Sequence, residues 1–502
     1  MRFTSLIVEL IRARPRLIFW VVVLCQAALW LVVPLLLYKG PPGELATVLA
    51  YGREYQVGTD LGPPLAFWLA DMAFRAAGGH IFGVYVLAQL CFIATFRALF
   101  YLGRAIVGGP QAVVAVLLTM TVTAFSSPGV EFGPLVLARP LWAMLLLHAW
   151  LVIGQGRRNA WFALSIEAGL LLLTTATAPW LLLLPLGFAL ATARGRRHLR
   201  SFDPIYALLV ISVIALPYAT WLIRADAVVL PPRPDLSGIV GIAQQWGVLL
   251  GWLVAATAGV IVLTVMNWRR VVPQPEDAPI IFRPPVDPLA RNFVYFFALA
   301  PGLLGSLFAA LYGLGRPVGG AGIGLLLCGL AVVIASGDLV MLRRHKLLRK
   351  VWALAIAAPA LVVLAGAVIV PWSGGGEQAT ALPARDIARF FGDRFERRTG
   401  QPLPAVAGDA QLAALIGLGA SRPHVLFDAS AARTPWITPA MFAQTGGVVV
   451  WRAADTSGAP PSDIAARFPD LVPEVPRAFD RLVNGREAPL RIGWAIVRPK
   501  AP

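Results

Sequence analysis

Eleven times along its length the chain enters an apolar run, and short clusters of Arg and Lys separate most of these runs. The runs lie at 17–38, 81–102, 111–126, 135–153, 160–174, 179–193, 204–223, 246–266, 292–312, 321–342 and 351–371. A helix that spans a bilayer needs about 20 apolar residues, because only internal hydrogen bonds can satisfy its backbone in lipid. The pattern therefore predicts a polytopic membrane protein of about eleven crossings. Composition agrees, with 58% hydrophobic and 14% charged residues among 502, where a soluble domain carries about 25% charged residues.

A net charge of +17 raises the question of nucleic acid, but the basic residues fall mostly between apolar runs, as topology signals do. If the N-terminus is cytoplasmic, then Arg12, Arg14, Arg16, Arg104, Arg157, Arg158, the Arg194–Arg200 cluster, Arg269, Arg270 and the Arg343–Lys350 cluster share that side. The runs 160–174 and 179–193 are short. Basic clusters at both outer ends demand an even number of crossings, so they are read as two short helices meeting at Thr174-Thr175-Ala176-Thr177. The first run is too long for a signal-peptide core and lacks a small-residue cleavage site, so it is read as a retained anchor. Cys25, Cys91 and Cys328 all lie within apolar runs and read as packing residues, with neither a disulfide framework nor a metal cluster.

An odd number of crossings places the remainder outside the cytoplasm. This divides the chain into a transmembrane domain, 1–372, and an extracytoplasmic domain, 373–502. Ser373-Gly374-Gly375-Gly376 reads as a flexible joint. Beyond it, a helical pattern in ARDIARFFGDRFERR precedes the short apolar runs PAVAG, HVLFD, GVVVW and RIGWAIV, which predicts a small α/β domain. His424 reads as an ordinary residue before a strand. That domain carries no Gly-rich phosphate motif, zinc spacing or nucleophile elbow.

The long loop 40–80 between the first two runs is too patterned for disorder. ELATVLAYGREY places Leu45, Val48, Leu49 and Tyr55 at helical spacing, and PPLAFWLADMAFRAAGG begins with prolines suited to a helix start. Two interfacial helices follow, with Phe67, Trp68, Leu69 and Phe74 toward lipid or core. Glu44 falls at a helix N-terminus, where backbone N–H groups favour its charged form. Asp60 suits the Gly58-Thr59-Asp60 turn, and Arg53 with Glu54 reads as a solvated face. His148 and Glu167 are embedded in apolar runs and read as an internal pair. Arg139 stands at the outer end of the fourth run, where a guanidinium is costly without a partner or a water-filled site.

The spacing of Gly43-Glu44, Gly58, Pro63-Pro64-Leu65 and Trp68-Leu69 resembles the Asp-Glu, Gly, Pro-Pro-Leu, Trp-Leu pattern in the first outer loop of GT-C membrane glycosyltransferases. The likeness is to glycosyltransferase family 39, the bacterial dolichyl-phosphate-mannose-protein mannosyltransferase and aminoarabinose-transferase type, and it runs through roughly the first 220 residues. It implies an inverting transfer of sugar from a polyprenyl-phosphate carrier to a lipid, glycan or protein of the envelope, at the periplasmic face of the inner membrane. Such chemistry needs a carboxylate to take the acceptor's proton and cations facing the phosphate leaving group.

Three family positions differ. Gly43 stands where the family has the Asp of Asp-Glu, Leu135 where it has a second acid, and Thr175 where a lysine lies near the carrier phosphate. The candidates for the base are therefore Glu44, Glu131 and Asp60. Candidates for binding the donor are Arg139, Arg53, Thr175, Arg224 and Arg316, since a guanidinium grips phosphate oxygens in forked geometry. A divalent cation assists some membrane glycosyltransferases, but one firm loop acid is too few for an oxygen-ligand site, so no metal residues are assigned. Two other readings stand beside this one: a catalytically degenerate relative that binds lipid-linked sugar as a scaffold, which the three losses favour, and a transporter of lipid-linked glycan. The second would require repeat symmetry and broken helices, which are weak here.

Overall fold

In the computed structural model the described residues are 9–127, 129–228, 238–267, 280–282, 285–337, 339–341, 345–373, 378–453, 455–481, 483 and 489–499. All eleven apolar runs return as helix, though not as eleven uninterrupted spans. The helices are α1 (Pro15–Leu37), α2 (Leu45–Arg53), α3 (Leu65–Ala76), α4 (Phe82–Val107), α5 (Gly109–Thr119), α6 (Thr123–Ser126) and α7 (Pro134–Ile153). They continue with α8 (Ala160–Leu172), α9 (Ala178–Ala191), α10 (Ala193–Leu199), α11 (Asp203–Arg224), α12 (Ile239–Ala256) and α13 (Ala258–Met266). The membrane part closes with α14 (Pro288–Leu311), α15 (Gly320–Gly324), α16 (Cys328–Ala335) and α17 (His345–Ser373).

Seven of the described helices, α1, α4, α7, α11, α12, α14 and α17, are each long and apolar enough to cross a bilayer. The other runs are broken. The 111–126 run splits into α5 and α6, and 246–266 covers the end of α12 and all of α13, parting at Thr257. The 321–342 run splits into α15 and α16 and ends in a strand. α15 is short because glycines 319, 320, 322 and 324 weaken it as a helix while letting other chain segments approach. α10 turns 108° away from α9. Its sequence ARGRRHL is too basic to continue into lipid, and Thr192 Oγ1 caps the new helix by accepting from Gly195 N at 3.3 Å.

Aromatic side chains lock the central helices. Trp142 and Trp150 of α7 and Phe188 of α9 meet Phe293 and Phe297 of α14, with ring centroids 5.3–6.1 Å apart. By contrast, α11 exposes Ile205, Leu209 and Val213, an outward apolar surface that suits lipid. At one end of the bundle Arg158 pairs with Asp203 at 2.9 Å and Arg194 with Asp287 at 2.8 Å, which draws the basic loops together. Strands β1 (Ile280–Phe282) and β2 (Leu339–Met341) form an antiparallel pair from two of the inter-helix segments.

The C-terminal domain contains α18 (Ala384–Thr399), β3 (Ala405–Gly408), α19 (Ala410–Ile416), β4 (His424–Leu426), α20 (Pro439–Thr445) and β5 (Gly447–Arg452). After these come α21 (Ser462–Arg467), β6 (Glu474–Phe479) and β7 (Leu490–Val497). The sheet order is β4-β3-β5-β7-β6, with β3 parallel to β4 and β5, and β7 antiparallel to β5 and β6. β3 is fully buried through Ala405-Val406-Ala407, as expected of a central parallel strand. α18 buries Ile387, Phe391 and Phe395, spaced four residues apart, and turns Arg389, Asp393 and Arg397 outward. Of the expected joint, residues 374–376 lie outside the described residues. One apolar core runs from the membrane helices through α2 and α3 into this domain.

Candidate active site in the outer loop

Glu131 is held by its neighbours. Val130 and Phe132 are both buried, and Phe132 N donates to Val130 O at 2.8 Å, closing a three-residue turn with Glu131 at its apex. Trp30 of α1 fixes the approach to this turn by donating from Nε1 to Ser126 O at 3.0 Å. The carboxylate lands against Gly43. A Cβ built on Gly43 would lie 3.0 Å from both Cδ and Oε2 of Glu131. Gly43 has a φ of +54°, a left-handed conformation that glycine adopts without steric cost.

Glu44 follows at the N-terminus of α2, solvent-exposed, and its backbone carbonyl accepts from Val48 N at 3.0 Å. Glu131 also keeps access to solvent, but protein surrounds its other side. Burial raises its pKa above the ordinary carboxylate value, the neighbouring charge of Glu44 adds to the rise, and Arg139 opposes it. Tyr38, just beyond α1, is raised in turn, by burial and then by the charge of Glu131.

Arg139 lies in the second turn of α7. Its Nη1 donates to Ala124 O at 3.0 Å, its Cζ stands 5.7 Å from the Phe125 ring centroid, and Gly322 of α15 leaves room for its stem. The two carboxylates and this guanidinium thus form one electrostatic cluster, drawn from the first outer loop, the loop before α7, and α7 itself.

The other candidates are placed elsewhere. Asp60 meets Arg433 of the C-terminal domain at 3.2 Å. Thr175 is buried in the turn between α8 and α9, its hydroxyl 3.0 Å from that of Thr177. Arg224 ends α11 and Arg316 lies in the loop after α14, both exposed. Arg53 and Glu54 do not form a solvated face. Arg53 is half-buried and its charged form is disfavoured chiefly by burial, while the Glu54 side chain is only 6% exposed and lies 2.9 Å from His424 Nδ1.

That last pair belongs to a clasp that the sequence did not signal. Asp71, with a side chain 0% exposed, meets Arg75 at 2.6 Å and Arg422 at 2.5 Å. The Arg422 guanidinium also covers the Phe74 ring at 4.7 Å, and Tyr51 stacks on Phe427 at 4.3 Å. Gly52 lets α2 and α3 cross closely, since a Cβ there would lie 2.3 Å from Phe67 O. Thr380 O accepts from the backbone N–H of Lys39 and of Gly40, at 2.9 and 3.2 Å. The C-terminal domain therefore holds the C-terminal end of α2, at Glu54, and the chain that leads into it, at Lys39 and Gly40. His148 and Glu167 pair at 2.7 Å between α7 and α8. Among the described residues no group of three His, Cys, Asp or Glu side chains could hold a metal ion.

Comparison with known proteins bears on this arrangement. Residues 62–221 match the family model described as dolichyl-phosphate-mannose-protein mannosyltransferase, a segment that includes Glu131 and Arg139 but begins after Glu44. The structure of ArnT from Cupriavidus metallidurans bound to undecaprenyl phosphate aligns over 95% of this chain and 97% of that one, with 14% identity and a TM-score of 0.59. The chain has the GT-C glycosyltransferase fold. Arabinofuranosyltransferase AftD from Mycobacteria aligns over 95% of this chain and 40% of its own, with 13% identity and a TM-score of 0.48. No curated protein matches significantly. Seven of the described helices are long and apolar enough to cross a bilayer, and the C-terminal domain meets the chain leading into the 40–80 loop through the backbone of Lys39 and Gly40.

Proposed function

We propose that the protein is an inverting glycosyltransferase that moves a sugar from a polyprenyl-phosphate carrier to an envelope acceptor at the periplasmic face of a bacterial inner membrane. The observation that carries this reading is the carboxylate of Glu131 lying 3.0 Å from where the Cβ of an aspartate at position 43 would sit. In the family pattern that aspartate is the acid that is lost here. Glu131 supplies the same charge from a different part of the chain and acts as general base on the acceptor hydroxyl. Its pKa, raised by burial and by Glu44, brings it nearer the pH at which it must accept a proton. The acceptor oxygen attacks the anomeric carbon from the side opposite the phosphate. The C–O bond to the carrier breaks, and polyprenyl phosphate leaves with the electron pair.

Arg139 is assigned to the leaving phosphate, because one Nη1 contact to Ala124 O leaves further donors of the guanidinium to face a ligand. A carrier with a long apolar chain reaches this depth sideways from the bilayer, which accounts for a reactive loop beside the membrane surface. The orientation rests on the positive-inside rule and on the gathering of basic loops by the Arg158–Asp203 and Arg194–Asp287 pairs at one end. ArnT, whose fold this chain shares, was solved with undecaprenyl phosphate bound, which makes that lipid the first carrier to test.

The scaffold reading keeps a specific observation in its favour, the replacement of three family residues by Gly43, Leu135 and Thr175. The two separate in one assay. Purified protein in vesicles is given radiolabelled undecaprenyl-phosphate sugars and a membrane extract, alongside Arg139→Ala. Labelled product from wild type, lost in the variant, supports the enzyme. Carrier binding by wild type that depends on Arg139, with no product from any donor, establishes the scaffold.

A further inference from the structure

A narrow slot opens beside Arg139, walled by the rings of Trp30 of α1, Phe92 of α4 and Phe125 of α6. Its volume, about 10 Å³, is room for one water-sized oxygen. Trp30 spends its own N–H on Ser126 O. The polar side chains that reach the slot are Gln89, Thr95, Ser127 and Arg139. Two of these are already engaged, Thr95 Oγ1 donating to Cys91 O at 2.7 Å and Ser127 Oγ to Thr123 O.

Gln89 is different. It is 6% exposed, and its Nε2 finds no hydrogen-bond partner among the described residues. A buried amide donor of this kind destabilises a fold unless something else completes it. Arg139 keeps donors beyond its bond to Ala124 O, so an amide N–H and a guanidinium line the same small space. That combination repels a cation and suits an oxygen carrying negative charge, which can accept from both. The aromatic walls limit competing water, and a bond made in such surroundings is the stronger for it.

We propose that the slot takes one non-bridging oxygen of the carrier phosphate, with Gln89 Nε2 and Arg139 both donating to it, so that Gln89 is a second phosphate-binding residue. The proposal rests on the glycosyltransferase reading and deepens it at the donor site. It also accounts for Thr175. Where the resemblance expects a lysine, this chain has a hydroxyl engaged with that of Thr177, and the second donor to the phosphate comes from α4 instead. As the bond from sugar to carrier breaks, negative charge gathers on the phosphate oxygens and both contacts strengthen.

Gln89→Leu provides the test, because it keeps the bulk and removes the donor. The protein in phosphatidylcholine vesicles is titrated with undecaprenyl phosphate and, separately, with undecaprenol, and is melted with and without each lipid. The variant should bind undecaprenyl phosphate roughly tenfold more weakly and gain less melting temperature from it. It should bind undecaprenol like wild type and, without lipid, melt no lower, since an unpaired amide has been removed. Combined with Arg139→Ala, the loss should be smaller than the product of the two single losses, because both residues hold one phosphate. Gln26→Leu is the control: Gln26 is 3% exposed with both amide atoms unpaired among the described residues, and it stands outside the slot. It should bind like wild type.

Unchanged binding of undecaprenyl phosphate by Gln89→Leu would overturn the proposal, as it would if the slot held a structural water only. So would an equal loss of undecaprenol, a lower melting temperature without lipid, or a matching loss in Gln26→Leu. Wild type that binds no undecaprenyl phosphate would overturn the slot and the carrier reading together. Binding that depends on Gln89 without any sugar transfer would uphold the slot and sink the enzyme reading alone.

Discussion

The Glu131 carboxylate occupies the space in front of Gly43, with Cδ and Oε2 both 3.0 Å from where a Cβ on that residue would sit. Eighty-eight positions separate the two residues in the chain. The turn Val130-Glu131-Phe132 and the left-handed backbone of Gly43 bring them together. On the proposed reading an acid lost from one loop is replaced from another, and the negative charge remains beside Glu44 and within the field of Arg139.

The pH dependence of turnover should report this crowding. Burial, then the charge of Glu44, raise the pKa of Glu131, so its base form appears at a higher pH than that of an ordinary carboxylate. Glu44→Gln removes one like charge and lowers that pKa. The acidic limb of a kcat/KM profile should move to lower pH in this variant. A limb that stays in place, or moves upward, would show that Glu131 does not titrate in the rate-limiting step.

Gly322→Ala should weaken donor binding without touching the donor. Its new Cβ would lie 2.6 Å from Arg139 Nε and 3.1 Å from Cδ, too close for the guanidinium to keep its place. Undecaprenyl phosphate affinity, measured by titration, should fall about tenfold, the ~1.4 kcal/mol cost of one displaced charged contact. Gly187→Ala, with nothing within 4 Å, should leave it unchanged.

The clasp at Asp71 should be the most sensitive point of domain docking. Its carboxylate is fully buried and depends on Arg422 and Arg75. Arg422→Met takes away one of the two ion-pair partners of that charge, and breaking a buried pair costs about 3–5 kcal/mol. The C-terminal domain should then become labile, read as faster proteolysis near residue 378 and a lower melting temperature. Adding Asp71→Asn to Arg422→Met should recover much of the loss, since the stranded charge is gone. If the double variant is as unstable as the sum of the singles, the pair is not the clasp.

Local pattern made much of this architecture legible. The apolar runs marked every membrane helix, and Pro63-Pro64 and the spacing of Leu45, Val48 and Leu49 marked the two loop helices. Four of the five strands in the C-terminal sheet followed from short apolar runs. The fifth, β6, was missed because EVPRAF includes a proline and exposes Val475, so it lacks the buried alternation of a strand. The pair β1 and β2 joins segments about sixty residues apart, and the fit of Glu131 to Gly43 is likewise long-range. Neither leaves a periodic signal.

Charged residues were the least legible. Arg53 and Glu54 looked like a solvated face because nothing nearby in sequence could pair with them. Glu54 meets His424, 370 residues later, and Arg53 lies in the field of Asp71 and Arg75 from the next helix and of Arg422 from the C-terminal domain. Asp71 sat in an amphipathic pattern as one more polar residue, and only the docked domain reveals it as buried. Arg139 was the exception, since a guanidinium among apolar residues announces the need for a partner.

Exchanging the acid between its two positions tests the central claim most directly. Transfer of labelled sugar from undecaprenyl-phosphate donors to a membrane extract is compared in wild type, Glu131→Ala and Glu131→Ala with Gly43→Asp. Loss of a general base costs about 10²–10⁴-fold, and an aspartate at 43 would place its carboxylate in the space that Glu131 vacates. The account predicts a fall of at least a hundredfold in the single variant and a recovery of at least tenfold in the double. Full turnover by Glu131→Ala, or no recovery on adding Gly43→Asp, would contradict it.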